Sequence, residues 1–279
     1  MSRFRVAVLL AALLATPALG QGIPETLRGA WFAGECRDPG GVLLLTARSA
    51  ARLDAGVPGR LFRFRELRPL AGWTLGTADG AEAPRLLLRA ADAGLETAEP
   101  DAKTRDDRLP GEAPRTAWRR CDPTPAALAA QHGEGFAFMA ALEHIEAACG
   151  AGTVAGCADA LVAQGDVSGD RLLSSAELAR MARGAAWLAA LQEGSTPDVV
   201  GVAVGGGSLA GILSARLLIE SLDYDGDGRL SAAELGQDRA AFAAARGNPA
   251  GSPLRTDGLA EGAGLLRGLF EGFFGDGGR

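Results

Sequence analysis

The hydrophobic pattern of this 279-residue chain changes period once, at Pro123-Thr124-Pro125, and that switch constrains the fold more than any other feature. Before the switch, Leu61-Phe62-Arg63-Phe64-Arg65 alternates apolar and charged side chains, as a strand with one buried face requires. Val42 to Thr46, Arg85 to Arg89 and Thr116 to Arg120 are further short strand candidates. Pro39-Gly40-Gly41, Pro58-Gly59, Asp79-Gly80 and Ala93-Gly94 punctuate them as turns. Pro100 to Pro114 is polar and reads as a long surface loop. Short strands at this spacing suit a small antiparallel barrel or sandwich over residues 21–122. After the switch, Pro125 to Gln131 and Phe136 to Ala148 are Ala-rich and helical in propensity, and no strand is expected before about residue 246. The fold class is therefore α+β, an N-terminal β domain followed by helices. Residues 123–157 read as a helical connector, 158–245 as a second domain and 246–279 as a tail.

The N-terminus reads as an address. Arg3 and Arg5 precede an uncharged apolar run from Val6 to Leu14, and Ala18-Leu19-Gly20 places small residues where a signal peptidase reads them. Residues 1–20 are thus expected to be a secretory signal peptide, cleaved after Gly20. The run is too short for a comfortable membrane span, and no Cys follows it as a lipid attachment site. A secreted or periplasmic protein with four cysteines is expected to hold two disulfides. Of the three pairings, Cys36–Cys121 and Cys149–Cys157 are favoured because each stays within one segment. Zinc is disfavoured, because no C-x-x-C spacing occurs and only two histidines are present.

The charge is uneven. Residues 21–125 carry 16 basic and 15 acidic side chains, whereas residues 126–279 carry 10 basic and 19 acidic ones. The overall charge of -6 excludes a nucleic-acid partner, which demands a basic surface. Four of the 19 acids of the second half fall in one segment, Asp223-Tyr224-Asp225-Gly226-Asp227-Gly228-Arg229-Leu230-Ser231-Ala232-Ala233-Glu234. Four carboxylates in twelve residues repel one another unless a cation lies between them. Hard cations such as Ca²⁺ take six to eight oxygen ligands. The segment resembles an EF-hand loop, and the resemblance implies that Asp223, Asp225 and Asp227 supply carboxylates at positions 1, 3 and 5, Arg229 its carbonyl at 7, Ser231 its hydroxyl or a water at 9, and Glu234 a bidentate carboxylate at 12. Gly228 at position 6 permits the sharp turn. Ala215, Leu218, Ile219 and Leu222 share one face of the helix expected before the loop.

The segment resembles the EF-hand loop at every diagnostic position. A second copy, Asp166 to Glu177, aligns in the same register. Its ligands would be Asp166, Ser168, Asp170, the Leu172 carbonyl and Glu177. It departs from the family at Arg171, where glycine is usual, and at Ser168, where a carboxylate is usual, so a weaker site is expected. Leu173 and Leu230 hold position 8, where paired loops exchange a short strand. The resemblance covers about residues 158–245. The stretch from Glu177 to Asp223 is longer than in a compact pair, so the pair is expected to be splayed or to carry an insertion.

Two apolar stretches need placing. Val199 to Ala215 is uncharged over 17 residues, marginal for a membrane span; an entering helix capped at Ser208 is the better reading. Gly262 to Gly275 spaces Leu265, Leu266, Leu269, Phe270, Phe273 and Phe274 at near-helical intervals, a candidate docking helix for a protein partner or the protein's own core.

Catalysis finds little support. His132 and His144 are the two histidines, and His144 reads as a partly exposed helix residue. The single lysine, Lys103, rules out a Walker A motif. Gly206-Gly207-Ser208-Leu209-Ala210 is a faint nucleophile elbow, but both histidines precede the serine, against the order such hydrolases use. The leading expectation is a secreted calcium-binding protein whose loops are structural or locally regulatory. One alternative is an enzyme or inhibitor with its site in the β domain; there Gly29-Ala30-Trp31 resembles the G-x-W near the start of lipocalin-like barrels. Another is lanthanide binding, as in periplasmic EF-hand proteins similar to lanmodulin. Those favour Pro at loop position 2, where this chain has Val167 and Tyr224.

Overall fold

A computed structural model describes residues 22–92, 94–240 and 249–250. The expected signal peptide and the 262–275 stretch lie outside the described residues. The described residues up to Gln237 form one compact unit.

The first half is an up-and-down barrel. Its strands are β1 (Gly29–Glu35), β2 (Asp38–Leu45), β3 (Ser49–Asp54), β4 (Arg60–Leu70), β5 (Trp73–Ala78), β6 (Arg85–Ala91), β7 (Gly94–Ala98) and β8 (Arg115–Trp118). Each pairs antiparallel with the next, in the order β1 to β8. Between the first and last strands, Phe32 and Arg119 exchange both backbone hydrogen bonds, each 2.9 Å, which nearly closes the sheet. Of the two expected architectures the chain adopts the barrel. A short 3₁₀ turn, Glu25–Leu27, precedes β1.

Side chains fill the barrel. Trp31, Leu43, Leu45, Phe62, Phe64, Leu86, Leu88, Leu95 and Trp118 meet inside it. Such filling is what eight strands permit when no ligand occupies the interior. The Trp31 indole N–H donates to the Leu27 carbonyl at 2.8 Å, and the Arg120 guanidinium lies 4.2 Å from the centre of its ring.

Pro39-Gly40-Gly41 does not make a turn. It lies inside β2, and the hairpin reverses at Cys36-Arg37, where Glu35 faces Asp38. A bulge between Ala33 and Gly34 disturbs the ladder opposite Pro39, where a residue lacking an N–H is tolerated. The 100–114 loop runs over the outside as expected, but Leu109 is buried with Trp73, Leu75, Leu87 and Ala98.

The outward face of β1 to β3 is also apolar and needs a cover. Phe32, Val42, Leu44, Ala51 and Leu53 pack against Met139, Trp187, Leu191 and Val200. These come from helices α1 (Ala126–Ala151), α3 (Ser175–Gln192) and α4 (Pro197–Leu222); α2 (Val154–Gly165) and α5 (Ala232–Ala240) complete the set. Burial on both faces explains why Val42 to Leu45 is a continuous apolar run rather than an alternating one. Two glycines let α1 and α3 approach. A Cβ on Gly135 would lie 2.1 Å from the Trp187 ring, and one on Gly184 would lie 2.4 Å from the Phe138 Cβ. The Glu134 carboxylate accepts two bonds from Arg183 across the same pair, at 2.7 and 2.8 Å.

The cysteines pair as Cys36–Cys121 and Cys149–Cys157. The first spans 85 residues, which in the chain-entropy account stabilises by about 4–5 kcal/mol. Helix α4 begins at Pro197, with Thr196 as its N-cap, and continues without a break through Ser208. The expected cap at Ser208 is therefore corrected: Pro at the first helical turn starts the helix twelve residues earlier. The length between the two acidic loops is taken up by α3 and α4. Among the described residues no helix is long and apolar enough to cross a membrane.

Candidate metal centre

Two twelve-residue loops face each other, each leading into a helix. The first joins α2 to α3 and the second joins α4 to α5. They meet through Leu173 and Leu230, each buried, which exchange backbone hydrogen bonds of 2.8 and 3.0 Å. That bridge is the only extended pairing among the described residues beyond the barrel. Val162, Leu178, Ala179, Ala215 and Ile219 pack beneath it. The loops therefore sit together rather than splayed.

Their internal bonding matches position by position. In the second loop Asp223 accepts from the N–H groups of Gly226 (2.7 Å), Asp227 (3.1 Å) and Gly228 (2.8 Å). In the first, Asp166 accepts from Gly169 (2.6 Å) and Arg171 (2.8 Å). Glu234 accepts from the N–H of Tyr224 (3.0 Å) and from the Ser231 N–H and hydroxyl (2.8 and 2.7 Å). Glu177 repeats this with Val167 (2.8 Å) and with Ser174 (2.8 and 2.7 Å). The sixth residues share one conformation: Gly228 has φ +81° and Arg171 φ +65°. A side chain in that region is strained, as the sequence anticipated for Arg171.

The loops differ in what their acids do. In the second, Asp223, Asp225 and Asp227 bring carboxylate oxygens within 4.8 Å of one another. Ligands about 2.4 Å from a common cation can be no further apart than about 4.8 Å, so the spacing of the three meets that condition for a shared cation. Glu234 is not part of this cluster; its two oxygens hold the loop backbone and Ser231. In the first loop no such cluster forms among the described residues. Ser168 offers a hydroxyl, and Asp170 forms an ion pair with Arg229 of the other loop.

Protonation preferences agree. Burial pushes Glu177 up, but bonds from Ser174, Ser168 and Val167 outweigh it and hold the carboxyl at about 2. The same opposition leaves Glu234 and Asp223 below their ordinary values. Asp225 moves the other way. The Asp227 N–H favours its charge, but desolvation and the carboxylates of Asp227, Glu234 and Asp223 together raise its pKa. A carboxylate crowded by three others is the electrostatic condition a cation relieves.

His132 is buried, with its Nδ1 accepting from the Trp187 indole N–H at 3.1 Å, whereas His144 is exposed on α1. Sequence reasoning did not foresee the Arg229–Asp170 pair, nor Glu143 of α1 reaching the β2–β3 turn. Neither carries a local motif. No protein-family model, no curated protein and no solved structure matches the chain.

Proposed function

We propose that this protein is a secreted or periplasmic calcium-binding protein of EF-hand type, with the ion held in the loop 223–234. The observation that carries this reading is the convergence of Asp223, Asp225 and Asp227 within 4.8 Å, in a loop whose spacing supplies Arg229, Ser231 and Glu234 as further oxygen donors. Calcium would offset half the negative charge of a loop that holds four carboxylates. The bridge between Leu173 and Leu230 supports a paired arrangement, and the two disulfides with the signal-like N-terminus support export.

Extracellular EF-hand modules bind at about 10⁻⁴ to 10⁻³ M. Outside the cytosol such a site stays loaded, so the ion acts as a constitutive brace. Calorimetric titration of the mature protein with calcium chloride tests the reading. Wild type binds, and Glu234→Gln loses more affinity than Glu177→Gln. Absence of both heat and thermal shift at millimolar calcium overturns it.

A further inference from the structure

Arg229 stands at position seven of the second loop, where an EF-hand uses the backbone carbonyl alone. Its guanidinium leaves that loop and pairs with Asp170, position five of the first. The other Asp170 oxygen accepts the Leu172 N–H at 2.9 Å, so both oxygens are engaged. Arg171 brings a second guanidinium into the same loop. The first loop thus sets Asp166, Asp170 and Glu177 against Arg171 and Arg229. The second keeps Asp223, Asp225, Asp227 and Glu234 and has sent its own arginine across. Cation affinity in such loops follows the number of charged ligands.

We infer that Arg229 is the fixed cation of the first loop, so that the pair takes one divalent ion, in the second loop. This rests on the calcium reading of residues 223–234. The pairing side chains are 45% and 32% exposed, and such an ion pair is weak beside a divalent ion. It decides occupancy because the first loop is already poor, with serine for a carboxylate at Ser168 and strained arginine for glycine at Arg171. The same contact flanks the Leu173–Leu230 bridge and holds the loops together before any metal arrives.

The test is calcium titration by calorimetry of the full mature chain as wild type, Arg229→Gln and Arg229→Gln with Glu234→Gln. Glutamine keeps the backbone carbonyl and removes the guanidinium. Wild type takes one equivalent. Arg229→Gln takes two, the second at least tenfold tighter than any first-loop binding in wild type, and this gain persists when Glu234→Gln weakens the other loop. In chelator, Asp170→Asn and Arg229→Gln each lower Tm, and the double variant melts no lower than the weaker single. Two comparable equivalents in wild type, or one in Arg229→Gln, overturn the assignment and leave the calcium reading standing. Additive losses of Tm in chelator overturn the ion pair without any metal. No heat in wild type removes the calcium reading and this assignment together.

Discussion

At the scale of single residues, a half-buried contact joins the helices to the barrel and a buried one joins them to each other, and both set measurable costs. The Trp187 indole nitrogen can only donate, so His132 Nδ1 must be bare and the ring neutral. Burial lowers the His132 pKa below 6.5, opposed by the Asp198 carboxylate. The unfolded chain therefore takes the proton more readily than the folded one. The stabilisation is complete above about 6.5 and falls as pH drops toward the folded value. Denaturation of wild type between pH 7.5 and 5 is expected to show a stability loss of up to about 1.4 kcal/mol per unit that His132→Gln, which retains an acceptor, does not share. Parallel curves for the two proteins would remove His132 as the cause. Glu143 makes the second contact. Its carboxylate accepts from the Arg48 N–H (2.9 Å), the Ala47 N–H (3.1 Å) and the Thr46 hydroxyl. Glu143→Ala leaves these donors without their partner, and a loss of about 2–3 kcal/mol in urea denaturation is expected. Glu143→Gln, which retains an oxygen, is expected to lose less.

At the scale of elements, the crossing of α1 and α3 depends on what is missing from Gly135 and Gly184. A methyl on Gly135 meets the Trp187 ring, a rigid group that is fully buried against the barrel. Alanine ordinarily favours a helix over glycine by about 1 kcal/mol. Here the overlap is expected to reverse the sign, so that Gly135→Ala destabilises by about 1–3 kcal/mol. Gly133→Ala, with open space around its position, is the control expected to stabilise. The sequence shows the glycines but not their use, because the ring they admit arrives from a distant helix. The same reason separates legible strands from hidden ones. Leu61 to Arg65 announces β4 because one of its faces meets solvent. Ser49–Asp54 does not announce β3, because Ala50 faces the interior while Ala51 and Leu53 face the helices, which erases the alternation. The second acidic loop is legible for the opposite reason. Its candidate ligands lie within twelve residues, and backbone N–H groups bonding to Asp223 shape it. The Arg229–Asp170 pair spans 59 residues and leaves no local trace.

At the scale of the molecule, α3 ties the candidate centre to the barrel. It begins at the first loop, where Ser174 caps it and Glu177 returns the bond, and it ends with Trp187 and Leu191 in the cluster against β1 to β3. Eighteen helical residues span about 27 Å, so a rigid rod links the loops to the strands. An ion that binds only the folded state stabilises whatever unfolds together with its site, by about 2.7 kcal/mol at one hundred times Kd. Because Leu173–Leu230 joins the loops and the apolar cluster around Trp187 joins helix to barrel, the barrel is expected to unfold in the same transition as the loops. Three of the four tryptophans, Trp31, Trp73 and Trp118, lie in the barrel, and the fourth, Trp187, lies at its junction with α3. Tryptophan fluorescence therefore reports the barrel, whereas far-ultraviolet circular dichroism at 222 nm reports the helices. With the disulfides intact, both signals are expected to melt at one Tm, and millimolar calcium is expected to raise that Tm for both. If calcium shifts only the helical signal and leaves the tryptophan transition in place, the contact between α3 and the strands does not couple the two, and the brace ends at the loops.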